Sequence, residues 1–280
     1  MVTKTLIRLT PITPAVGALV EGANLTEAFD AETVRLLREA WLDRGVLFFR
    51  DQDISEAQLE AFIGYFGTPI TEPSSGSYGA DPKGPPVHTS HSAEIKGVAE
   101  RWHADATWLA RPPAATALRL VTVPPIGGDT LWANVALAYD DLVKPLRDCI
   151  DQLSAVHWML PSLEAMRVTA HNDEIEYIHP MVTVHPETGR KVLYVSEGWT
   201  KCVVGMPPAQ SMLLLALLYD HIRSPLYSMR WRWQPGDVAL WDNRCLQHFA
   251  VPDYDSGRYF QRVVTAGERP RGVGDAGAAA

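Results

Sequence analysis

Apolar and polar positions along this 280-residue chain fall into short blocks divided by turns rich in Pro and Gly. Within residues 31–43, Val34, Leu36, Leu37, Ala40 and Trp41 recur at helical spacing, and Val46-Leu-Phe-Phe-Arg50 follows as an apolar run suited to a buried strand. Residues 58–66 predict a second helix. The stretch 68–98 is then rich in Pro, Gly and Ser, and a loop of that length is expected to act as a lid. Residues 114–123 predict a strand, Pro124-Pro-Ile-Gly-Gly-Asp129 a turn, and Thr130-Leu-Trp132 the next strand. Helical periodicity returns over 137–153 and 211–223. Residues 182–184 and 191–195 flank His185-Pro-Glu-Thr-Gly189 as a hairpin, and 229–233 and 238–242 flank Pro235-Gly-Asp237 as a second strand pair. A last strand is expected at 263–266. The pattern implies one domain over 1–270, with 271–280, rich in Gly and Ala, as a disordered tail.

Composition narrows the class of protein. Hydrophobic residues make up 46% and charged residues 21%, enough apolar surface for a sizeable core. The formal net charge of −8 leaves no broad basic surface, so nucleic acid is not an expected partner. Cys149, Cys202 and Cys245 are odd in number and far apart, which predicts buried reduced thiols in a cytoplasmic protein. The first residues lack an apolar signal core, and no stretch approaches the roughly 20 apolar residues that span a bilayer. A soluble chain with no membrane partner is expected.

The sharpest chemical feature is Trp102-His103-Ala-Asp105. In an extended segment, residues two apart share a face, so one cation can touch both the imidazole and the carboxylate. These are two of the three ligands of a 2-His-1-carboxylate triad, whose open positions suit non-haem iron(II). His248, just past the strand at 238–242, is the candidate third ligand, since antiparallel strands can return it to the first pair. Taken alone, a His-x-Asp pair is more often a buried hydrogen bond. The histidines at 88, 91, 157, 171, 179, 185 and 221 show no comparable spacing and are expected at the surface or behind the ligands. Arg258 and Arg262, four apart, would share a strand face and offer forked donors to carboxylates; surface arginines are the plainer alternative.

Around these residues stand Gly127-Gly-Asp-Thr-Leu-Trp132, His185-Pro-Glu-Thr-Gly189, Trp231-Arg-Trp-Gln-Pro-Gly-Asp237, Trp241-Asp-Asn243 and Val251-Pro-Asp-Tyr254. In this order the motifs resemble the taurine/2,4-dichlorophenoxyacetate dioxygenases, which use Fe(II), 2-oxoglutarate and O2. The resemblance implies a mainly β fold with surrounding helices, built on a double-stranded β-helix (jelly-roll, cupin-like) core. It implies that His103, Asp105 and His248 hold the iron, that Thr130 and Arg258 bind the far carboxylate of 2-oxoglutarate, and that Arg262 holds an acidic group of the substrate. The interval from His248 to Arg258 is one residue shorter than in the relatives, which leaves an exchange of roles between the two arginines open. Glu72 stands where taurine-using relatives carry a histidine, so either taurine is not the substrate or Glu72 faces solvent. Alkyl sulfates, sulfonates and aryloxyalkanoates remain together as candidates, hydroxylated with or without C–S or C–O cleavage. Trp108, Tyr78 and Trp199 either line the pocket or belong to the core. Relatives of this kind are dimers or tetramers, so a homo-oligomer is expected. The rival readings are a non-catalytic metal-binding or sensory protein on the same fold, and a zinc hydrolase.

Overall fold

The computed structural model describes residues 6–70, 88–91, 99–159 and 176–277, with the backbone alone described at 88–91 and 276–277. From the N-terminus run β1 (Arg8–Pro11), β2 (Ala18–Glu21), α1 (Ala31–Arg44), β3 (Val46–Phe49), α2 (Glu56–Ile63), β4 (Pro69–Ile70), β5 (His88–His91) and β6 (Ala115–Thr122). There follow β7 (Thr130–Asn134), α3 (Val135–Asp140), α4 (Lys144–Ile150), β8 (Ser154–Trp158), β9 (Glu176–Pro180), β10 (Val182–Val184), β11 (Lys191–Leu193) and β12 (Thr200–Val203). The chain continues through α5 (Pro208–Ile222), β13 (Ser228–Trp231), β14 (Val238–Asp242), β15 (Leu246–Ala250), β16 (Tyr259–Thr265) and a 3-10 helix, Val273–Gly277.

The two-residue period of the strands explains how these pieces stack. In β14, which reads as one apolar run, Val238 and Leu240 join a core with α1 and α2, while Ala239 and Trp241 join a second core. β3 divides the same way, with Leu47 and Phe49 outward and Val46 and Phe48 inward. Both faces of this sheet are therefore covered, which is why its strands are apolar throughout rather than alternating. The sheet runs β1-β2-β3-β14-β6-β16-β4, with β5 also paired to β16. Facing its inner side is a smaller sheet, β13-β7-β15, which contributes Trp132, Met229, Trp231 and Leu246 to the inner core. Stacking of Phe48 on Trp231, with centroids 4.0 Å apart, joins the two layers. This is the jelly-roll core the resemblance implied, and helices α1 and α2 pack outside it.

Local signals account for most boundaries. Asp30 caps α1 by accepting from Thr33 N, and Ser55 and Gln58 form a capping box that starts α2 two residues before the expected position. The hairpin around His185-Pro-Glu-Thr-Gly189 pairs β10 with β11 as expected.

Several expectations change. The single helix at 137–153 is two, α3 and α4, because Pro145 cannot donate a backbone hydrogen bond and sits instead in the first turn of α4. Strands β13 and β14 do not form a hairpin: β13 pairs with β7 and β14 with β3 and β6, so residues 232–237 carry the chain from one sheet to the other. Asp237 anchors that crossing, accepting from Trp231 Nε1, Gln234 N and Arg50. The final strand begins earlier, at Tyr259. Residues 271–277 are ordered rather than free, because Arg271 accepts from Val184 N at 2.9 Å, Gly272 bridges Thr183, and Asp275 accepts from Gly272 N. Residues 278–280 lie outside the described residues. The ends of the expected lid are strands β4 and β5 on β16, and its remaining residues, 71–87 and 92–98, lie outside the described residues. Of the cysteines, Cys149 is exposed on α4 and Cys202 and Cys245 are half-buried; all three are free thiols.

Candidate active site

His248 lies on β15 itself, opposite Trp132 of β7, so its ring faces the space between the sheets. The segment bearing His103 adds to the free edge of β15. His103 N donates to His248 O at 3.0 Å and His248 N donates to His103 O at 2.8 Å, a reciprocal antiparallel pair that sets the two rings 4.2 Å apart. Two residues on, Asp105 reaches the larger sheet, and Ala106, with φ of 47°, turns the chain away. The candidate ligand atoms of His103, Asp105 and His248 all lie within 4.8 Å of one another, and the three residues are buried. From Asp105 Oδ1 it is 3.9 Å to His103 Nε2 and 3.6 Å to His248 Nε2.

Each candidate ligand is aimed by its surroundings. His103 Nδ1 lies 2.6 Å from Arg101 O, an acceptor, so Nδ1 carries the proton and Nε2 presents its lone pair. Trp199 packs edge-on against that ring and fixes its own indole by donating to Ala104 O at 2.8 Å. Gly198 is required here: a Cβ on it would stand 2.9 Å from His103 Cβ. Trp241 packs 4.9 Å from the His248 ring. Burial lowers the pKa of both imidazoles, with Asp105 opposing, so both stay neutral and ligand-competent near neutral pH.

Asp105 is held by a directed chain of donors. Trp241 Nε1 and Asp105 N both donate to Asn243 Oδ1, at 3.0 and 3.2 Å, which fixes the amide so that Nδ2 faces Thr116. Asn243 Nδ2 donates to Thr116 Oγ1 at 2.7 Å, and Thr116 Oγ1 then donates its only proton to Asp105 Oδ2 at 2.7 Å. One carboxylate oxygen is thus committed to the protein and the other, Oδ1, faces the histidines. Arg262 Nη2 also lies 2.7 Å from Oδ1. Burial pushes the Asp105 carboxyl up; Arg262 foremost, with both histidines and Thr116, overcomes this and holds it below its ordinary value.

Strand parity places these groups. Residues 116, 118 and 120 of β6 face inward together, as do Phe260 and Arg262 of β16, and Thr116 lies directly across from Val264. Arg258 lies just before β16, at the parity of Phe260 and Arg262. Arg258 is buried, stands 5.8 Å from the Tyr254 ring, and donates from Nη1 to Gly128 O at 2.7 Å, two residues before Thr130. Thr130 Oγ1 accepts from Trp233 Nε1 at 2.9 Å, which leaves its own hydroxyl proton to donate. The 127–129 turn is stapled beneath them, with Gly128 N donating to Asp253 Oδ1 and Arg230 bridging Asp129 and Asp253.

Glu72 and Tyr78 lie outside the described residues. Trp108 and Trp199 are core: both are buried in a cluster with Ala106, Leu109 and Met159 behind His103. His157, His179 and His185, expected at the surface or behind the ligands, are fully buried and so lie off the surface. Each has an identifiable partner: Thr107 for His157, Leu109 O for His179 and Asp242 for His185. His185, Asp242 and Cys245 also cluster, yet His185 Nδ1 accepts from Glu187 N and Thr188 N, so Nε2 carries the proton and donates to Asp242. That cluster has no imidazole lone pair for a metal. The expected site missed Thr116 and Asn243. Asn243 sits in the quoted Trp241-Asp-Asn motif, and a lone threonine among Ala115, Ala117 and Leu118 was the available signal for Thr116.

A 2-His-1-carboxylate face of neutral imidazoles and one ionised carboxylate is the donor set that suits Fe(II) with open positions. Similar proteins agree with that chemistry. A taurine dioxygenase structure from Burkholderia xenovorans superposes with a TM-score of 0.83 at 37% identity, covering 96% of this chain and 93% of that one. An alpha-ketoglutarate-dependent sulfate ester dioxygenase from Pseudomonas putida is 36% identical over 94% of this chain and 90% of its own length. An alkylsulfatase from Acinetobacter baylyi is 35% identical over 95% of this chain and 87% of its own. Residues 8–264 match the model of the taurine catabolism dioxygenase TauD, TfdA family, and the chain belongs to that family.

Proposed function

We propose that this chain is an Fe(II)- and 2-oxoglutarate-dependent dioxygenase that hydroxylates a small anionic organic substrate, with alkyl sulfate esters favoured over sulfonates and aryloxyalkanoates. The observation that carries the proposal is a buried His103, Asp105 and His248 face with a guanidinium, Arg262, 2.7 Å from its carboxylate. In this reading His103 Nε2, His248 Nε2 and Asp105 Oδ1 hold the iron, and Thr116 keeps Asp105 Oδ2 off it. Iron and 2-oxoglutarate, when bound, supply the oxidising chemistry with O2. Arg258 and the Thr130 hydroxyl receive the far carboxylate of 2-oxoglutarate, a bidentate fork beside a single donor.

Charge selects an anionic substrate, and the relatives favour one class of anion. Two positive charges of the ion less one from Asp105 leave one, and Arg258 and Arg262 bring the total to three. A 2-oxoglutarate dianion neutralises two of these. The remaining positive charge favours a monoanion, and Arg262, reaching the ligand carboxylate, is placed to orient one beside the metal. A sulfate monoester is such an anion. Hydroxylation at the carbon bearing the ester oxygen gives a carbon with two oxygen substituents; its collapse breaks that C–O bond, releasing sulfate and an aldehyde. The sulfate ester activity of the relatives favours this choice.

We further propose a cytoplasmic homo-oligomer. The three free thiols support the compartment, and among the described residues no helix is long and apolar enough to cross a membrane. The test is aerobic turnover of Fe(II)-loaded protein with 2-oxoglutarate across alkyl sulfates, sulfonates and aryloxyalkanoates, reading succinate and sulfate together. Equal release of both with an alkyl sulfate is expected. Silence across all three classes would favour a non-catalytic metal-binding protein.

A further inference from the structure

Strands β12, β8 and β9 form a sheet of their own, and two of its buried side chains are imidazoles where apolar groups would fill the space as well. Pairing of β8 with β9 sets His157 opposite Tyr177 and Ala155 opposite His179, so both imidazoles leave the same face of the sheet. Their rings stand 5.3 Å apart, and the Tyr194 ring lies 5.6 Å from each, which fixes the pair.

What the two rings hold is the turn that follows Asp105. Ala106 has a φ of 47°, in the left-handed region that a residue with a Cβ keeps only when its surroundings impose it. Within the turn there is one backbone bond, from Leu109 N to Ala106 O at 3.1 Å. The sheet supplies two more attachments: Thr107 Oγ1 lies 2.8 Å from His157 Nδ1, and Leu109 O accepts from His179 Nε2 at 2.9 Å. An apolar residue at either position would leave the Thr107 hydroxyl or the Leu109 carbonyl buried without that partner. Burial keeps both imidazoles neutral, so they secure the turn without placing charge behind the Asp105 carboxylate. The same sheet reaches the other side of the segment, because Trp158 N donates to Trp199 O at 2.8 Å and Trp199 packs edge-on against the His103 ring.

We propose that His157 and His179 are positioning residues for the metal, locking the strained Ala106 turn and thereby fixing the direction of Asp105. Neither imidazole belongs to the candidate ligand cluster. The proposal rests on reading His103, Asp105 and His248 as iron ligands.

Anaerobic titration of Fe(II) against a chromophoric chelator tests it, with circular dichroism to establish that each variant is folded. His157→Phe and His179→Phe keep a ring and delete the polar atoms, and each should weaken Fe(II) binding about tenfold. His157→Asn places an amide near the position of Nδ1 and His179→Gln one near that of Nε2, so both should recover most of the affinity. Glycine enters the left-handed region at no steric cost, so adding Ala106→Gly to His157→Phe should return about threefold in affinity. A purely structural pair would lower the melting temperature alone and would show no such rescue. Should a phenylalanine variant fail to fold, Thr107→Val deletes the His157 contact from the other side and should weaken Fe(II) binding in the same way. Wild-type affinity in the folded phenylalanine or valine variants, or no gain from Ala106→Gly, would overturn the proposal and leave the ligand reading standing. Wild-type protein that binds no Fe(II) would overturn both.

Discussion

Replacing Thr116 by valine removes one hydroxyl and almost no volume, so its effect reports the hydrogen-bond chain to Asp105. Thr116 is fully buried, and its oxygen both donates to Asp105 Oδ2 and accepts from Asn243 Nδ2, each at 2.7 Å. A hydrogen bond to a charged group is worth about 1.5–3 kcal/mol, and about 1.4 kcal/mol corresponds to tenfold in affinity. Loss of the orienting bond should therefore weaken Fe(II) binding roughly 10- to 100-fold, the range typical of groups that orient metal ligands. Asn243 Nδ2 and Asp105 Oδ2 are also left unsatisfied, costing about 1–3 kcal/mol in stability and a few degrees in Tm. Thr116→Ser, which restores the hydroxyl, should recover most of the metal affinity. The assay is anaerobic titration of Fe(II) against a chromophoric chelator, alongside thermal melting. A valine variant that keeps wild-type affinity within threefold would refute the claim that Thr116 aims the carboxylate.

The assigned arginine roles predict that Arg258→Ala chiefly raises the KM for 2-oxoglutarate and Arg262→Ala the KM for the anionic substrate; the opposite pattern in steady-state kinetics would exchange the two. Trp233→Phe deletes the donor that orients Thr130, and a loss of about 1 kcal/mol predicts a roughly fivefold rise in the 2-oxoglutarate KM with Fe(II) affinity unchanged; an unchanged KM would remove Trp233 from the site's support. His157 and His179 are buried, burial being the main cause that lowers their pKa values from 6.5 to about 3 and about 4. The unfolded chain therefore takes up protons first, so stability is full above pH 6.5 and falls by about 1.4 kcal/mol per pH unit from each group as the pH drops toward 4. His103 and His248 act in the same direction. Urea midpoints that stay constant from pH 7 to 5 would contradict this.

Legibility differed between the ligands and the frame that aims them. The candidate ligands are legible because His103 and Asp105 lie two residues apart in sequence and His248 lies in a motif-rich segment. Elements with local signals, such as the capping box of α2 and the β10–β11 hairpin, were readable for the same reason. Pairing was harder: nothing local tells β13 and β14 that they belong to opposite sheets, because that choice is made by which apolar faces the inner core needs. Thr116 became visible as a site residue only once the larger sheet set it against Asp105, 11 residues earlier in the chain.

The central claim is that His103, Asp105 and His248 together hold one iron with room for a chelating 2-oxo acid. Anaerobic addition of Fe(II) and 2-oxoglutarate should produce a weak visible charge-transfer band in the wild-type protein, saturating at one iron per chain, and none in Asp105→Ala or His248→Ala. Failure of the band to form in folded wild-type protein, or its persistence at full strength in either variant, would contradict the account.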